Sequence, residues 1–183
     1  MTLIDATRIR RHLKRGGVIA YPTESCYGLG CDPRNPQAVK RVLALKRRSP
    51  AKGVILIAAS ARQLCPYIAK LSPALQRDMV GAWPGPYTWL VPAARDCPAF
   101  LRGSHDTIAV RVTAHPVAAQ LCRQAGMALV STSANRSGDQ SAKTAGECRR
   151  LFGKRVLVIL GRVGTRRRPS TIQHLLTKQI IRK

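Results

Sequence analysis

The sequence predicts an α/β protein of one domain, with a mixed sheet and helices around it. Short apolar runs alternate with segments whose apolar residues recur at helical spacing, which is the pattern of α/β folds. The chain has 183 residues, a length typical of one domain. Its hydrophobic fraction of 45% is high enough for a buried core and argues against disorder.

Helices are predicted where apolar residues recur every three or four positions between polar ones. In the first of them, Ile4, Ile9 and Leu13 form the apolar stripe, and Gly16 ends the helix. Pro36 stands where the second can begin. The predicted helices cover residues 4–14, 36–48, 61–69, 73–79, 116–124 and 144–152.

Strands are predicted at short apolar runs bounded by glycine, proline or polar turn residues, namely residues 18–21, 53–58, 87–91, 107–112, 128–130 and 156–160. No helical pattern separates the third strand from the fourth, so the sheet is expected to be mixed. Residues 23–35 are rich in Gly, Pro, Asp and Asn and predict a loop. The Arg-rich tail, residues 161–183, keeps apolar residues such as Leu175, so part of it is expected to pack.

Charge is the outlying property of the composition. There are 32 Lys and Arg residues against 8 Asp and Glu residues, which gives a net charge of +24. A field of this strength attracts polyanions and steers phosphates, so a nucleic-acid or phosphate partner is expected. The alternative is a solvated basic surface without a specific partner.

Several classes of chemistry are poorly supported by the sequence. It has no CxxC pair for a zinc knuckle, no Walker or GxGxxG phosphate loop and no GxSxG nucleophile. Paired carboxylates are lacking, and the four histidines are expected to be structural. The six cysteines are expected to be free thiols in a reducing cytoplasm, and no membrane span or secretory signal is expected. Catalysis by positioning and charge neutralisation remains, which suits nucleotidyl or phosphoryl transfer.

Three polar segments next to predicted strands are candidate ligand sites. Thr23 and Glu24 follow the first strand, either as turn residues or with Thr23 as a hydrogen-bond donor to a small substrate. Residues 46–52 carry four cations, which either complement a helix C-terminus or bind phosphates. Residues 131–138 are rich in hydroxyl and amide groups, which either shape a tight loop or cradle phosphates.

The order of these motifs closely resembles that of the YrdC family. Each motif is weak alone, but six in order, spanning about residues 16–182, make a specific pattern. The matching residues are Tyr21-Pro22-Thr23-Glu24 with Tyr27-Gly28-Leu29-Gly30, Lys46-x-Arg48 with Lys52-Gly53, Trp83-Pro84-Gly85-Pro86-x-Thr88, Ala109-Val110-Arg111-Val112, and Ser131-x-Ser133-Ala134-Asn135-x-Ser137-Gly138.

This resemblance implies an open, twisted α/β sheet with a concave basic cavity, in the short form that lacks an extra C-terminal domain. It implies an enzyme that forms threonylcarbamoyl-adenylate and pyrophosphate from L-threonine, bicarbonate or CO2, and ATP carrying Mg²⁺. The product would serve the modification of adenosine next to the tRNA anticodon, completed by threonylcarbamoyl-transfer proteins. Because ATP alone does not require a net charge of +24, weak binding of tRNA or double-stranded RNA at the same concave face is a further expectation.

The resemblance also implies roles for individual residues. The expected catalytic set is Lys46, Arg48, Ser133 and Asn135. The expected ATP contacts are Arg48, Lys52, Thr107, Ser133, Ser141 and Arg182, and the expected L-threonine contacts are Thr23, Arg111, Ser131 and Ser170. No protein ligand to a metal is expected.

The sequence departs from the family pattern at two places. Ile57 stands where some relatives have a histidine, and the tail carries Arg166-Arg167-Arg168. Two rival functions remain open: an RNA-binding module of the same fold that makes no adenylate, and a paralogue acting on a different amine or carbamoyl donor.

Overall fold

The computed structural model describes residues 5–183, so Ile4 lies outside the described residues. Its framework is one open sheet of nine strands in the order β7-β1-β2-β6-β3-β5-β4-β8-β9. The strands are β1 (Ile19–Pro22), β2 (Tyr27–Gly30), β3 (Ile55–Ala58), β4 (Tyr87–Pro92), β5 (Thr107–Val112), β6 (Leu129–Ser133), β7 (Leu157–Val158), β8 (Thr171–His174) and β9 (Ile180–Arg182).

The sheet is mixed, as predicted. Parallel pairing joins β1 to β7, β3 to β5 and β4 to β8, and the other neighbouring pairs are antiparallel. β4 and β5, the two strands predicted without a helix between them, are antiparallel neighbours. Near the centre of the sheet, β6 lies between β2 and β3 and runs antiparallel to both.

Helices pack on both faces of the sheet, because successive strand residues point to opposite sides. In β1, Ile19 and Tyr21 pack with Ile9 and Leu13, whereas Ala20 faces the larger apolar cluster on the other side. The helices are α1 (Ala6–Lys14), α2 (Pro36–Lys46), α3 (Pro73–Gly81), α4 (Ala99–Arg102), α5 (Pro116–Ala125) and α6 (Ala145–Phe152). Within the described part of the chain, no helix is long and apolar enough to span a bilayer.

The structure differs from the predicted elements in four main places. The predicted loop 23–35 contains β2, which the sequence did not predict because two of its four residues are glycines and polar residues surround it. The predicted helix 61–69 is a 3₁₀-helix over Ala61–Tyr67, with Pro66 inside it. The short helix α4 was not predicted, and the tail contains two strands, β8 and β9, which add to the β4 edge.

The segment that joins β7 to β8 crosses the sheet, since β7 is one edge strand and β8 lies next to the other edge. We call residues 161–170 the crossing segment. Its backbone is tied to the loop after β1, where Gly164 N donates to Thr23 O at 2.9 Å and Arg166 N donates to Glu24 O at 3.1 Å. It therefore holds that loop in place before the chain reaches β8.

Candidate functional site

A cavity of about 580 Å³ opens around the end of β6 and brings the predicted site residues together. All three polar segments contribute to its wall, together with β5, the crossing segment and β9. The predicted site residues that line it are Thr23, Lys46, Arg48, Lys52, Thr107, Arg111, Ser131, Ser133, Asn135, Ser141, Ser170 and Arg182. Every site residue predicted from the sequence thus faces one shared hollow.

The lining of this cavity is basic. Among the described residues that line it, no Asp or Glu occurs. Its cations are Lys46, Arg48, Lys52, Arg102, Arg111 and Arg182. Positive side chains without carboxylates between them attract anions such as phosphates and carboxylates, so the hollow is suited to a strongly anionic ligand.

Lys46 is the buried centre of one wall. Its Nζ donates to Ser133 O at 2.6 Å, to Asn135 O at 3.0 Å and to Asn135 Oδ1 at 2.8 Å. These bonds join the C-terminus of α2 to the end of β6. Burial, reinforced by the nearby charge of Arg48, lowers the pKa of Lys46 to about 8.

The cations of segment 46–52 have different positions: one lies at the surface, and others line the cavity. Arg47 ends α2 in a left-handed conformation (φ 51°) and points to solvent, as the surface interpretation predicts. Arg48 turns back, and its Nε donates to Gly53 O at 3.2 Å. Arg48 and Lys52 both line the cavity, as the phosphate interpretation requires.

The hydroxyl-rich segment is partly strand and partly turn. Ser131, Thr132 and Ser133 are the last residues of β6, and Ser133 Oγ donates to Asn135 Oδ1 at 2.7 Å. Asn135 Nδ2 donates in turn to Asp139 O at 2.7 Å. Because Lys46 also binds Asn135, the serine, the asparagine and the lysine form one network at the cavity wall.

Another part of the wall is formed by Thr23 and Arg111. Thr23 is buried, and its Oγ1 donates to Cys26 O at 2.7 Å, which leaves its oxygen lone pairs available to accept. Arg111 is also buried, and its NH2 lies 3.2 Å from Oε2 of Glu24. This ion pair joins the loop after β1 to the C-terminal end of β5.

Ser170 and Arg182 close the tail side of the cavity. Arg182 NH2 donates to Ser170 O at 2.9 Å and to Ser170 Oγ at 3.1 Å, and Thr88 Oγ1 donates to Ser170 Oγ at 2.9 Å. These bonds tie β9 to the end of the crossing segment. The tail, residues 161–183, therefore forms part of the cavity wall through Ser170 and Arg182.

Three ionisable residues in or beside this cavity were given no role from the sequence. Arg102 and His105 also line the cavity; Arg102 is the last residue of α4, which the sequence did not predict, and His105 follows this helix. Glu24 was singled out only as a turn residue, but it pairs with Arg111. Its signal was its rarity, as one of eight acids in a chain of charge +24, placed beside a candidate substrate residue.

An open mixed sheet with a basic, hydroxyl-lined cavity at its centre defines an anion-binding α/β protein. The family model described as Telomere recombination, which covers Sua5, YciO and YrdC proteins, matches residues 11–183. The chain belongs to this Sua5/YciO/YrdC family. The resemblance noted in the sequence is thereby confirmed, as is the fold it implied.

Relatives named for one activity are similar to this protein over nearly the whole chain. A protein named threonylcarbamoyl-AMP synthase from Thiobacillus denitrificans is 59% identical over 174 residues, which are 95% of this chain and 93% of that one. One of the same name from Methylobacillus flagellatus is 59% identical over 177 residues, 97% of this chain and 98% of that one.

A solved structure agrees with the fold. The crystal structure of P. abyssi Sua5 complexed with L-threonine has a TM-score of 0.83 and 29% identity. The match covers 94% of this chain and 52% of the Sua5 chain. This chain thus spans about half the length of that Sua5 protein.

Proposed function

We propose that this protein forms threonylcarbamoyl-adenylate and pyrophosphate from L-threonine, bicarbonate or CO2, and ATP. The single observation that carries the proposal is the shared cavity, in which six cations and a row of hydroxyl groups meet without a carboxylate in the lining. Such a hollow suits a triphosphate beside an amino-acid carboxylate. The names of the two 59%-identical relatives support the same reaction.

We place L-threonine at Thr23, Arg111, Ser131 and Ser170. The Arg111 guanidinium would pair with the threonine carboxylate, since guanidinium and carboxylate match in charge and shape. Thr23 Oγ1 already donates to Cys26 O, so it would accept a hydrogen bond from the substrate. The P. abyssi Sua5 crystal structure is a complex with L-threonine, which supports an amino-acid subsite in this fold.

We place ATP along the more basic wall, at Arg48, Lys52, Thr107, Ser133, Ser141 and Arg182. Arg48 and Lys52 would offset the charge of the phosphates, and Ser133 Oγ would turn its proton from Asn135 Oδ1 to a phosphate oxygen when ATP binds. Val54 and Ile55 are apolar lining residues near this wall and offer surface to a base.

The proposed chemistry has two steps. The neutral threonine amine attacks the carbon of CO2 with release of a proton to solvent, or the carbon of bicarbonate with loss of water, and gives a carbamate. A carbamate oxygen then attacks the α-phosphorus of ATP, forming the new P–O bond as the bond to pyrophosphate breaks. Lys46, Arg48, Ser133 and Asn135 would hold the reactants and stabilise the charge that develops on the departing phosphates.

Mg²⁺ would enter bound to ATP. The lining supplies hydroxyl and amide oxygens but no carboxylate, and residues 5–183 contain no cluster of three His, Cys, Asp or Glu side chains able to hold a metal. That donor set fits an ion held mainly by substrate phosphates and water, as Mg²⁺ prefers. When bound, the ion would neutralise phosphate charge.

The product is a reactive mixed anhydride, so we propose that threonylcarbamoyl-transfer proteins take it up and place the group on tRNA. We further propose that the protein acts in the cytoplasm, where ATP and threonine are available. All six cysteines have free thiols, which is the state expected in a reducing compartment.

The proposal is tested by pyrophosphate release from ATP. We expect release that requires L-threonine and bicarbonate together, and an adenylate detectable by mass spectrometry. RNA binding without ATP consumption would favour the RNA-binding module instead. Full activity with another amino acid or with carbamoyl phosphate, and little with threonine and bicarbonate, would favour a paralogue of different substrate.

A further inference from the structure

We propose that Glu24 is the positioning residue for the amino-acid end of the cavity, holding the Arg111 guanidinium where a substrate carboxylate can reach it. The inference rests on the proposed function. Glu24 is not among the cavity-lining residues, so it acts through Arg111 rather than on the substrate.

The ion pair is enclosed by the protein. The Arg111 side chain is 9% exposed and the Glu24 side chain 13% exposed, whereas the ion pair between Lys178 and Asp78 is about half exposed on both sides. A buried charge pair that loses one partner leaves the other charge uncompensated, which is far more costly than losing a surface pair. Removing the Glu24 charge should therefore disturb Arg111 strongly.

The Glu24 carboxylate is itself held rigidly. Its Oε1 accepts from Thr113 Oγ1 at 2.8 Å and from Ala114 N at 3.1 Å. Burial would raise the pKa of Glu24, but the positive charge of Arg111 and these two hydrogen bonds lower the pKa below its ordinary value. The group is therefore a fixed negative charge at neutral pH.

The backbone of Glu24 is fixed as well. The crossing segment binds its carbonyl oxygen through Arg166 N and binds the preceding carbonyl, that of Thr23, through Gly164 N. A Cβ on Gly164 would lie 2.7 Å from Glu24 O, so the two backbones are in close contact. Both ends of the residue are thus anchored, which a freely solvated turn residue would not require.

Arg111 keeps hydrogen-bonding capacity that the protein does not use. Its Nε is buried and has no hydrogen-bond partner. A buried donor left unpaired is costly, so such a group in a folded protein calls for an explanation, here a ligand that completes the site. Glu24 Oε2 has no hydrogen-bond partner either, so its 3.2 Å contact with Arg111 NH2 is an ion pair without hydrogen-bond geometry. Glu24 therefore orients the guanidinium by charge and leaves its Nε unpaired.

The test measures binding of three ligands: L-threonine, ATP and L-threoninamide, which lacks the carboxylate charge. In Glu24→Gln the dissociation constant for L-threonine should rise at least about tenfold, equal to about 1.4 kcal/mol, while that for ATP stays within about twofold. For L-threoninamide the same substitution should change affinity little. Asp78→Asn removes a carboxylate of the same kind from a surface ion pair and should leave all three affinities unchanged.

A general structural role for Glu24 would weaken all three ligands alike, and that result would overturn the proposal. So would unchanged L-threonine binding in a folded Glu24→Gln protein. If this variant does not fold, Thr113→Val removes one hydrogen bond to Glu24, together with the acceptor of His115 N. It should weaken L-threonine binding selectively to a smaller degree, and a loss shared by all three ligands, or no loss, would overturn the proposal. Failure of the proposed function is distinguished because wild-type protein would then release no threonine-dependent pyrophosphate.

Discussion

Lys46 shows how one residue can serve both the fold and the proposed chemistry. Its ammonium has three N–H donors, and Ser133 O, Asn135 O and Asn135 Oδ1 accept them. The lysine therefore fixes the end of β6 through direct bonds, and its charge acts on an anion through the field at the cavity wall. We expect its contribution to depend on whether it is protonated.

The protonation of Lys46 gives a pH-dependent prediction. Its pKa is about 8 in the folded protein and 10.5 in an ordinary lysine. Between these values the unfolded chain binds more protons, so the Lys46 contribution to the free energy of unfolding rises with pH through this window. Bound triphosphate favours the charged lysine, so ATP binding at pH 8.5 should draw a proton from the buffer, and ATP affinity should fall as pH rises above 8.

Calorimetric titration of ATP in buffers of different ionisation enthalpy measures that proton uptake. Wild-type protein should take up a fraction of a proton at pH 8.5, and Lys46→Met should take up less. Equal uptake in the two proteins would contradict the assignment. Lys154→Met, at an exposed lysine that does not line the cavity, is the matched control.

The residue types of the site could be predicted because the chemistry limits them. Twelve site residues were expected, and the cavity wall contains all twelve, although their roles remain predictions. Glu24 was not given a role because its partner, Arg111, lies 87 positions further along the chain, and only the fold brings the two together. Arg102 and His105 escaped notice because a four-residue helix has too few positions for a periodic pattern.

At the scale of elements, β2 explains why sequence patterns failed in the first loop. Gly28 and Gly30 alternate with Tyr27 and Leu29, so one face of the strand has side chains and the other has none. The bare face lets neighbouring groups approach closely, and a Cβ on Gly30 would lie 2.4 Å from Val130 O. Glycine is depleted in ordinary strands. A strand in which glycines allow neighbouring groups to approach closely is therefore predicted as a loop.

The two glycines of β2 give a matched pair of variants. Gly30→Ala forces a methyl group against a backbone oxygen and should destabilise the protein by about 1–3 kcal/mol, or roughly 2–12 °C in Tm. Gly28→Ala places its methyl group at 3.4 Å or more from its neighbours, so the Tm should change by no more than about 2 °C. Thermal unfolding followed by circular dichroism measures both, and equal Tm values would contradict the close-approach argument.

The long helices and apolar strands were predictable because they bury a regular face, whereas β8 and β9 were not. The edge strand β9 is exposed along its length, and β8 is only partly buried, so neither shows the apolar run of a central strand. They exist because β4 offers an edge for pairing. That is a property of the assembled sheet, which local sequence does not display.

At the scale of the whole molecule, the charge of +24 exceeds what the cavity needs. Six cations line the cavity, and most of the rest lie elsewhere on the surface. In the crossing segment, Arg166, Arg167 and Arg168 are exposed and directly precede Pro169, which lines the cavity. We expect this excess to give weak, salt-sensitive RNA binding in addition to the proposed synthesis.

The RNA prediction is tested by fluorescence anisotropy with tRNA between 50 and 200 mM salt. Binding should weaken steeply with salt, and replacing all three arginines of residues 166–168 with alanine should reduce the log–log slope by about 2, at roughly 0.7–0.9 per lost phosphate contact. A matched variant replaces three exposed arginines of α1, Arg8, Arg10 and Arg11, and so removes the same charge. Because only arginines 166–168 adjoin the cavity, the salt slope of their variant should fall further than that of the α1 variant. Equal slopes in the two variants would mean that RNA binds the general positive field. No binding at 50 mM salt would exclude RNA as a partner.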